Sequence, residues 1–290
     1  MGDLGLEAEK PGPLSRVTAS RLDALPRGLA AALAERDALI SEVRGSGKRV
    51  FVTADSSHGK LFARYSDDPA DVPVFAHEAE VRRIVGTKGL LRAPVVLDEG
   101  EGWLLETAVA SERIRGAHAV DTAAAAASRL IELRIPTGPR AHAAPDSATG
   151  RVQRRLRVAF SALPASDLSA AERILADPGL PPLPSHGDFF PENLLLAGGA
   201  LWVVDWECSA ERPAGYDLMQ LWSALERAGD RERLFDSALE LVGTPGRRKL
   251  EQLRYAVVVE TAWRLLHQGD GARPRADGLL ALLPQLRPDG

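Results

Sequence analysis

The chain changes character near residue 107, and that change limits its architecture more than any single motif does. Before it, short runs of β-type residues alternate with polar turns. Arg49 to Thr53 and Leu61 to Tyr65 read as strands joined through a polar segment, ADSSHG, and Pro94 to Leu97 and Trp103 to Leu105 read as two more, split by DEGEG. Two helices are expected among them: Ala19 to about Glu42, with Leu29, Ala32, Leu33 and Leu39 at turn-like spacing, and Val74 to Val85, with Ala76, Ala79, Ile84 and Val85 set between charges. After residue 107 helical patterns dominate. Ala117 to Leu133 is rich in the strongest helix former and stops before Pro136; Pro136 to Gly150 is a Pro/Gly/Ala-rich connection; residues 151–176 read as helix broken near Pro164. Leu194 to Leu196 and Leu201 to Val204 form an expected hairpin about Ala197-Gly198-Gly199, and the chain is mainly helical from Tyr216 to Leu283. The expected organisation is α+β: a loose tail over 1–20, a small β-rich lobe over 21–107, and a larger helical lobe over 108–290, with a ligand cleft where the lobes meet.

Composition removes several classes of function. The 290 residues carry 36 Lys and Arg against 40 Asp and Glu. This mild acidity offers no concentrated basic surface for displacing phosphate counterions, so nucleic acid is not an expected partner. One cysteine, Cys208, excludes an internal disulfide framework and a Cys-rich zinc site. Residues 1–20 lack the apolar core of a signal peptide, and no run approaches the roughly 18 apolar residues that span a bilayer. No membrane partner is expected, and the expected compartment is the cytoplasm. Of the 36 cations only five are lysines, Lys10, Lys48, Lys60, Lys88 and Lys249.

The chemistry concentrates in Ser185-His-Gly-Asp-Phe-Phe-Pro-Glu-Asn193 and the hairpin that ends in Leu201-Trp-Val-Val-Asp-Trp-Glu207. These segments place carboxylates at 188 and 205 and an amide oxygen at 193 about one tight hairpin. Hard oxygens at strand ends suit Mg2+, and a further carboxylate can accept a proton from an attacking hydroxyl. A hard cation with a hydroxyl nucleophile points to phosphoryl transfer, where positioning and charge neutralisation do most of the work. A metal hydrolase on His186 and Asp188 would want more histidine ligands, and the other five histidines form no pairs at metal-site spacing.

His186, Asp188 and Asn193 match the H-x-D-x-x-x-x-N loop of the aminoglycoside phosphotransferase and choline kinase superfamily. Asp205-Trp206-Glu207 resembles that family's metal-binding counterpart of the protein-kinase D-F-G, and Tyr216-Asp217-Leu218 its following Y-D-L element. The resemblance runs over roughly residues 21–270 in layout. It implies a bilobal protein-kinase-like fold with the nucleotide on the N-terminal lobe, Asp188 as catalytic base, and Asn193 and Asp205 as Mg2+ ligands. His186 is read as a loop-bonding residue, Asp217 as a tie at a helix start, Cys208 as a small buried residue, and Glu207 as either a group near the metal or a solvated carboxylate.

The N-terminal lobe departs from the family pattern. Gly45-Ser46-Gly47, preceding the strand at 49–53, is read as a loop closing over phosphates through backbone N–H groups, with a plain hairpin turn as the alternative. It is not a P-loop, because Glu42 and Arg49 stand where Gly and Ser or Thr belong. Where the resemblance asks for a phosphate-binding lysine, the strand KLFARYS presents Arg64, with Lys60 on the same face if the register shifts. Arginine is not a neutral replacement there. Bulky Phe62 on that face would meet the adenine region. Glu78, rather than Glu80, resembles the helix glutamate that pairs with the strand cation, and Trp103 to Thr107 resembles the adenine-binding hinge.

The expected activity is Mg2+-dependent transfer of a phosphoryl group from ATP or GTP to a hydroxyl of a small molecule. By resemblance the acceptor is an aminoglycoside or basic peptide antibiotic, a reading that fits antibiotic resistance or self-protection. The acidic residues Asp217, Glu260 and Asp270 would suit a cationic acceptor. Two alternatives stay open: a kinase of Ser or Thr in a peptide-modification pathway, motivated by Arg151, Arg154, Arg155 and Arg157, and a catalytically impaired nucleotide-binding scaffold, motivated by Arg64 and Phe62.

Overall fold

A computed structural model describes residues 25–46, 49–57, 59–89, 91–110, 112–114, 116–138, 163–266 and 270–287. The expected tail over 1–20, the basic cluster at 151–157 and Gly47 fall outside them. The chain divides into two compact units: one runs up to Ala79 and adds Val95–Ala108, and the other comprises Glu80–Pro94 and Val109 onward.

The first unit is built on an antiparallel sheet of five strands. They are β1 (Leu39–Ser46), β2 (Arg49–Ser56), β3 (Gly59–Ser66), β4 (Val96–Gly100) and β5 (Trp103–Thr107), in the order β1-β2-β3-β5-β4. Period-two alternation sends Leu61, Ala63 and Tyr65 of β3 to one face. There they join Val50, Val52, Ala54, Trp103 and Leu105 beneath Leu29, Ala32 and Leu33 of helix α1 (Arg27–Ala34). The opposite face carries a smaller cluster, Phe75, Ala79 and Leu104, supplied in part by helix α2 (Val72–Lys88).

The expected helix from Ala19 to Glu42 is confined to Arg27–Ala34, and Leu39 onward is strand. Asp37 has a left-handed backbone, φ 48, and the Ala38 N–H returns to the Leu33 carbonyl, which closes the helix before Leu39. From there Leu39 to Ser46 pairs along β2, from Leu39 opposite Asp55 to Ser46 opposite Arg49. The ladder with β2 outweighs the helical spacing of Leu39, whose side chain stays 77% exposed.

The second unit is mainly helical. Its helices are α3 (Gly116–Leu130), α4 (Ala165–Ala176), α5 (Tyr216–Ala224), α6 (Ala228–Val242), α7 (Arg247–Leu266), α8 (Arg273–Leu280) and α9 (Leu283–Leu286). Two small sheets complete it: β7 (Pro182–Ser185) with β10 (Ala210–Pro213), and β6 (Glu112–Arg113) with the hairpin β8 (Leu194–Ala197) and β9 (Ala200–Val203). One hydrophobic core joins these parts, from Ala123 and Leu130 on α3 through Leu194 and Val203 on the hairpin to Leu218, Val257 and Val258 on α5 and α7. Arg287 at the chain's far end donates to Asp167 of α4, which also accepts from the Tyr255 hydroxyl of α7. No helix among the described residues is long and apolar enough to cross a membrane.

Candidate active site

The loop from His186 to Asn193 is held by its own short-range bonds and by helix α5. Asp217, in the first turn of α5, accepts from Ser185 Oγ (2.6 Å), His186 N (2.8 Å) and Gly187 N (3.0 Å). A carboxylate at a helix start is favoured by the helix dipole and here receives three donors from one loop. Gln220, one turn on, accepts from Phe189 N (2.9 Å) and donates to the Gly187 carbonyl (3.1 Å). Gly187 cannot be another residue: its φ is 77, and an added Cβ would lie 2.1 Å from the Cys208 carbonyl oxygen.

His186 is fully buried and acts within the loop. Its Nε2–H donates to the Val204 carbonyl (2.9 Å), so Nδ1 is the acceptor that faces the Asp188 N–H at 3.3 Å. Its ring meets Trp206 edge-on, 4.7 Å between centroids. The imidazole therefore ties the loop to the strand end that delivers Asp205, and Trp206 is itself anchored by Nε1 to the Val203 carbonyl.

Asp188 emerges from this frame with both carboxylate oxygens engaged. Asn193 Nδ2 donates to Oδ2 at 2.9 Å and to the Asp188 carbonyl at 2.8 Å, while Arg264 Nη2 of α7 donates to Oδ1 at 2.6 Å. Arg264 also lies over the Phe190 ring, 5.4 Å from its centroid. Burial works against the Arg264 charge, but attraction and hydrogen bonding to Asp188, with Glu260 and Tyr216 beyond, hold its pKa above the ordinary value. Arg264 thus stays a cation beside Asp188.

A cavity of about 220 Å³ opens at this pair, lined by Asp188, Phe190, Glu192, Asn193, Thr261, Arg264, Leu265 and Arg275. Arg275 of α8 pairs with Glu192 at 3.2 Å. Asp205 adopts a left-handed backbone, φ 64 and ψ 61, an uncommon state for a residue with a Cβ. Glu207 follows it, half-buried. Cys208 is half-buried; burial, then the charges of Asp188, Glu207 and Asp205, push its thiol up to about 12 against a smaller pull from Arg264. Burial and these charges work against the thiolate form that a nucleophile needs.

The chemistry of the donor set fits a magnesium ion. Asn193 commits its amide nitrogen to Asp188, which orients the amide and leaves Oδ1 open, and Asp205 carries carboxylate oxygens; both are hard donors of the kind magnesium takes.

In the first unit, Arg64 and Glu78 form a buried ion pair, 6% and 0% exposed at their side chains. Arg64 also lies over the Phe75 ring at 5.7 Å. Lys60 sits at the exposed start of β3, opposite Asp55, and Glu80 is exposed. Phe62 stacks on Phe51, with 6.0 Å between centroids. Gly45 and Ser46 belong to the β1–β2 ladder, opposite Val50 and Arg49. At the end of β5, Thr107 N donates to the Val95 carbonyl and Ala108 N to the Lys60 carbonyl.

Arg264, Arg275 and Gln220 carry no local signal in the sequence. Each belongs to a helical pattern, and only the packing of α5, α7 and α8 brings it to the loop.

The model of a family described as "Phosphotransferase enzyme family" matches residues 40–253. No curated protein matches the sequence. Among solved structures, the chain is similar to a choline/ethanolamine kinase family protein from Mesorhizobium loti, with 21% identity over 92% of each chain and a TM-score of 0.61. It is also similar to a thermostable mutant of aminoglycoside phosphotransferase APH(4)-Ia in ternary complex with ADP and hygromycin B, with 14% identity over 90% of this chain and 99% of that one and a TM-score of 0.64. A third is the macrolide 2'-phosphotransferase MphH from Brachybacterium faecium, 18% identical over 87% and 97%, TM-score 0.56. At these identities the likeness is one of fold. The α+β, protein-kinase-like class expected from the sequence is the class of these structures.

Proposed function

The chain belongs to the phosphotransferase enzyme family, and from that premise we propose that it moves the terminal phosphoryl group of ATP or GTP to a hydroxyl of a small molecule. The observation that carries this reading is Asp188, held by Asn193 on one oxygen and Arg264 on the other at the wall of a cavity sized for a small acceptor. Asp188 receives the acceptor hydroxyl as a hydrogen-bond donor and takes its proton as the oxygen–phosphorus bond forms and the bond to the leaving nucleoside diphosphate breaks. The two donors on Asp188 fix the direction from which that proton arrives. Asn193 Oδ1 and the Asp205 carboxylate would hold Mg2+, which when bound neutralises phosphate charge. In the first unit, Arg64 is the cation for the donor phosphates, oriented by Glu78; Lys60, exposed at the strand start, is the weaker choice.

Two of the acidic residues that favoured a cationic acceptor have other work. Asp217 holds the loop backbone, and Glu260 accepts from the Tyr216 hydroxyl at 2.9 Å. Aminoglycosides and basic peptide antibiotics therefore belong in the first acceptor screen alongside neutral and acidic hydroxyl compounds. The peptide-kinase alternative rested on arginines outside the described residues. The scaffold alternative is separated by activity: Mg2+-dependent thermal stabilisation by ATP or GTP, slow nucleotide hydrolysis, and loss of hydrolysis but not of binding in Asp188→Asn support the transferase. Nucleotide binding with no hydrolysis and no phosphate transfer to any of the screened acceptors would sink it.

A further inference from the structure

The cavity at Asp188 has a charge pattern that selects among acceptors. Its two carboxylates are each matched to a guanidinium: Asp188 to Arg264 at 2.6 Å and Glu192 to Arg275 at 3.2 Å. Asp188 also accepts from Asn193 Nδ2 on its second oxygen, and each oxygen keeps a lone pair for a hydroxyl. An ammonium group entering this space meets two guanidinium cations, each already neutralising a carboxylate, and a charge taken from water without a partner is costly. Donors are in the opposite condition. A guanidinium carries five N–H groups, and each arginine commits a single nitrogen to its carboxylate.

The two pairs also differ in how readily they yield. At Glu192–Arg275 the side chains are 48% and 40% exposed, a pair worth little against water and open to exchange. Replacing Glu192 by a ligand carboxylate on Arg275 therefore sacrifices little, while Arg264 stays on Asp188 and offers its remaining N–H groups. With Glu192 turned to water, one ligand carboxylate brings the remaining charges of Asp188, Arg264 and Arg275 back to zero, and a second would leave an excess. Phe190, Thr261 and Leu265 supply the less polar remainder of the wall.

We propose that the acceptor is a hydroxy acid, whose hydroxyl meets Asp188 and whose carboxylate is bound by Arg275 with Arg264 beside it. This rests on the transferase reading and narrows its substrate class to small monoanionic alcohols.

The test uses the full chain with Mg2+ and ATP and three probes of one carbon skeleton: D-gluconate, D-gluconamide and D-glucamine, which differ in charge at one end. Binding is read by ligand-observed NMR, and transfer by probe-dependent ADP release. The expected result is binding of gluconate about tenfold tighter than gluconamide, with glucamine weakest. In Arg275→Gln the gluconate-to-gluconamide ratio should fall towards one, and in Arg275→Lys part of it should return. A residue with a purely structural role would change both affinities together and leave that ratio alone. Equal binding of the three probes, preference for glucamine, or no detectable gluconate binding overturns the proposal. Nucleotide-induced thermal stabilisation and basal ATP hydrolysis, measured in the same samples without probe, report on the transferase reading separately.

Discussion

Two arginine–carboxylate pairs, one in each unit, show opposite uses of the same chemistry. Arg64 and Glu78 are 6% and 0% exposed, whereas Arg264 and Asp188 are 34% and 20% exposed. Removing ions from water costs several kcal/mol each, and a buried pair recovers this only while both partners stay in place. The first pair is therefore committed: neither side chain can turn away without stranding the other, and Arg64 is flanked by the Phe75 ring at 5.7 Å. The second pair is reachable by solvent, so its carboxylate can take a new hydrogen bond without losing all compensation. A fixed pair suits a group that must hold one pose through every cycle. A half-open pair suits the group that must meet an acceptor and release a product.

Breaking each pair should expose this difference, beginning with the largest effect. Asp188→Asn removes the proposed proton acceptor and leaves Arg264 without its carboxylate. We expect kcat to fall by about 10²- to 10⁴-fold with nucleotide affinity retained, measured by steady-state phosphate transfer and nucleotide titration. Glu78→Gln strands a buried guanidinium instead, and the expected loss is about 3–5 kcal/mol of folding stability, read from urea denaturation. If Glu78→Gln proved nearly neutral in stability, the two pairs would not differ in the way their burial indicates.

The parts of this arrangement that were legible in the sequence are those made by near neighbours. His186, Asp188 and Asn193 lie in one loop, bonded through His186 Nδ1 and Asn193 Nδ2 over a few residues. Arg64 and Glu78 were reached through the family resemblance, with the period of the strand setting the face of Arg64 and leaving Lys60 as its alternative. Arg264 and Arg275 were invisible because they reach their partners across 76 and 83 residues of chain, and an arginine on a helix looks the same whether it faces water or a carboxylate. The stretch Leu39–Glu42 shows the converse. Its local spacing continued a helix, but a ladder to β2 outcompeted that preference, and a ladder partner cannot be read from one strand alone.

Arg264→Ala tests the half-open pair from its other side, with a smaller effect. A hydrogen bond to a charged group contributes about 1.5–3 kcal/mol, and solvent at a side chain one-third exposed discounts that figure. The expected outcome is a drop in kcat of about tenfold, with the folding midpoint nearly unchanged. The contrast with Glu78→Gln is the informative part: Arg264→Ala should act on turnover alone, whereas Glu78→Gln should lower stability and weaken nucleotide binding with it. Thermal melts and single-turnover transfer on the same two proteins separate them.

The smallest effect concerns the Tyr216 hydroxyl, which donates to Glu260. Burial first, then the charge and hydrogen bond of Glu260, raise the Tyr216 phenol well above its ordinary pKa, with Arg212 and Arg264 pulling it back. The folded state thus keeps a proton that the unfolded chain releases at about pH 10. The stability from this phenol is fully present below that pH and is lost as pH rises through the elevated folded value. Tyr255, raised to about 12 chiefly by burial and by its bond to Asp167, acts with the same sign. Folding stability should therefore decline above pH 10 while the ultraviolet phenolate signal lags behind that of free tyrosine. Tyr216→Phe should lower stability at neutral pH and make the alkaline decline shallower. A decline unchanged in Tyr216→Phe would assign the alkaline loss to Tyr255 and other groups, and would remove Tyr216 as a tie between α5 and the helix that carries Arg264.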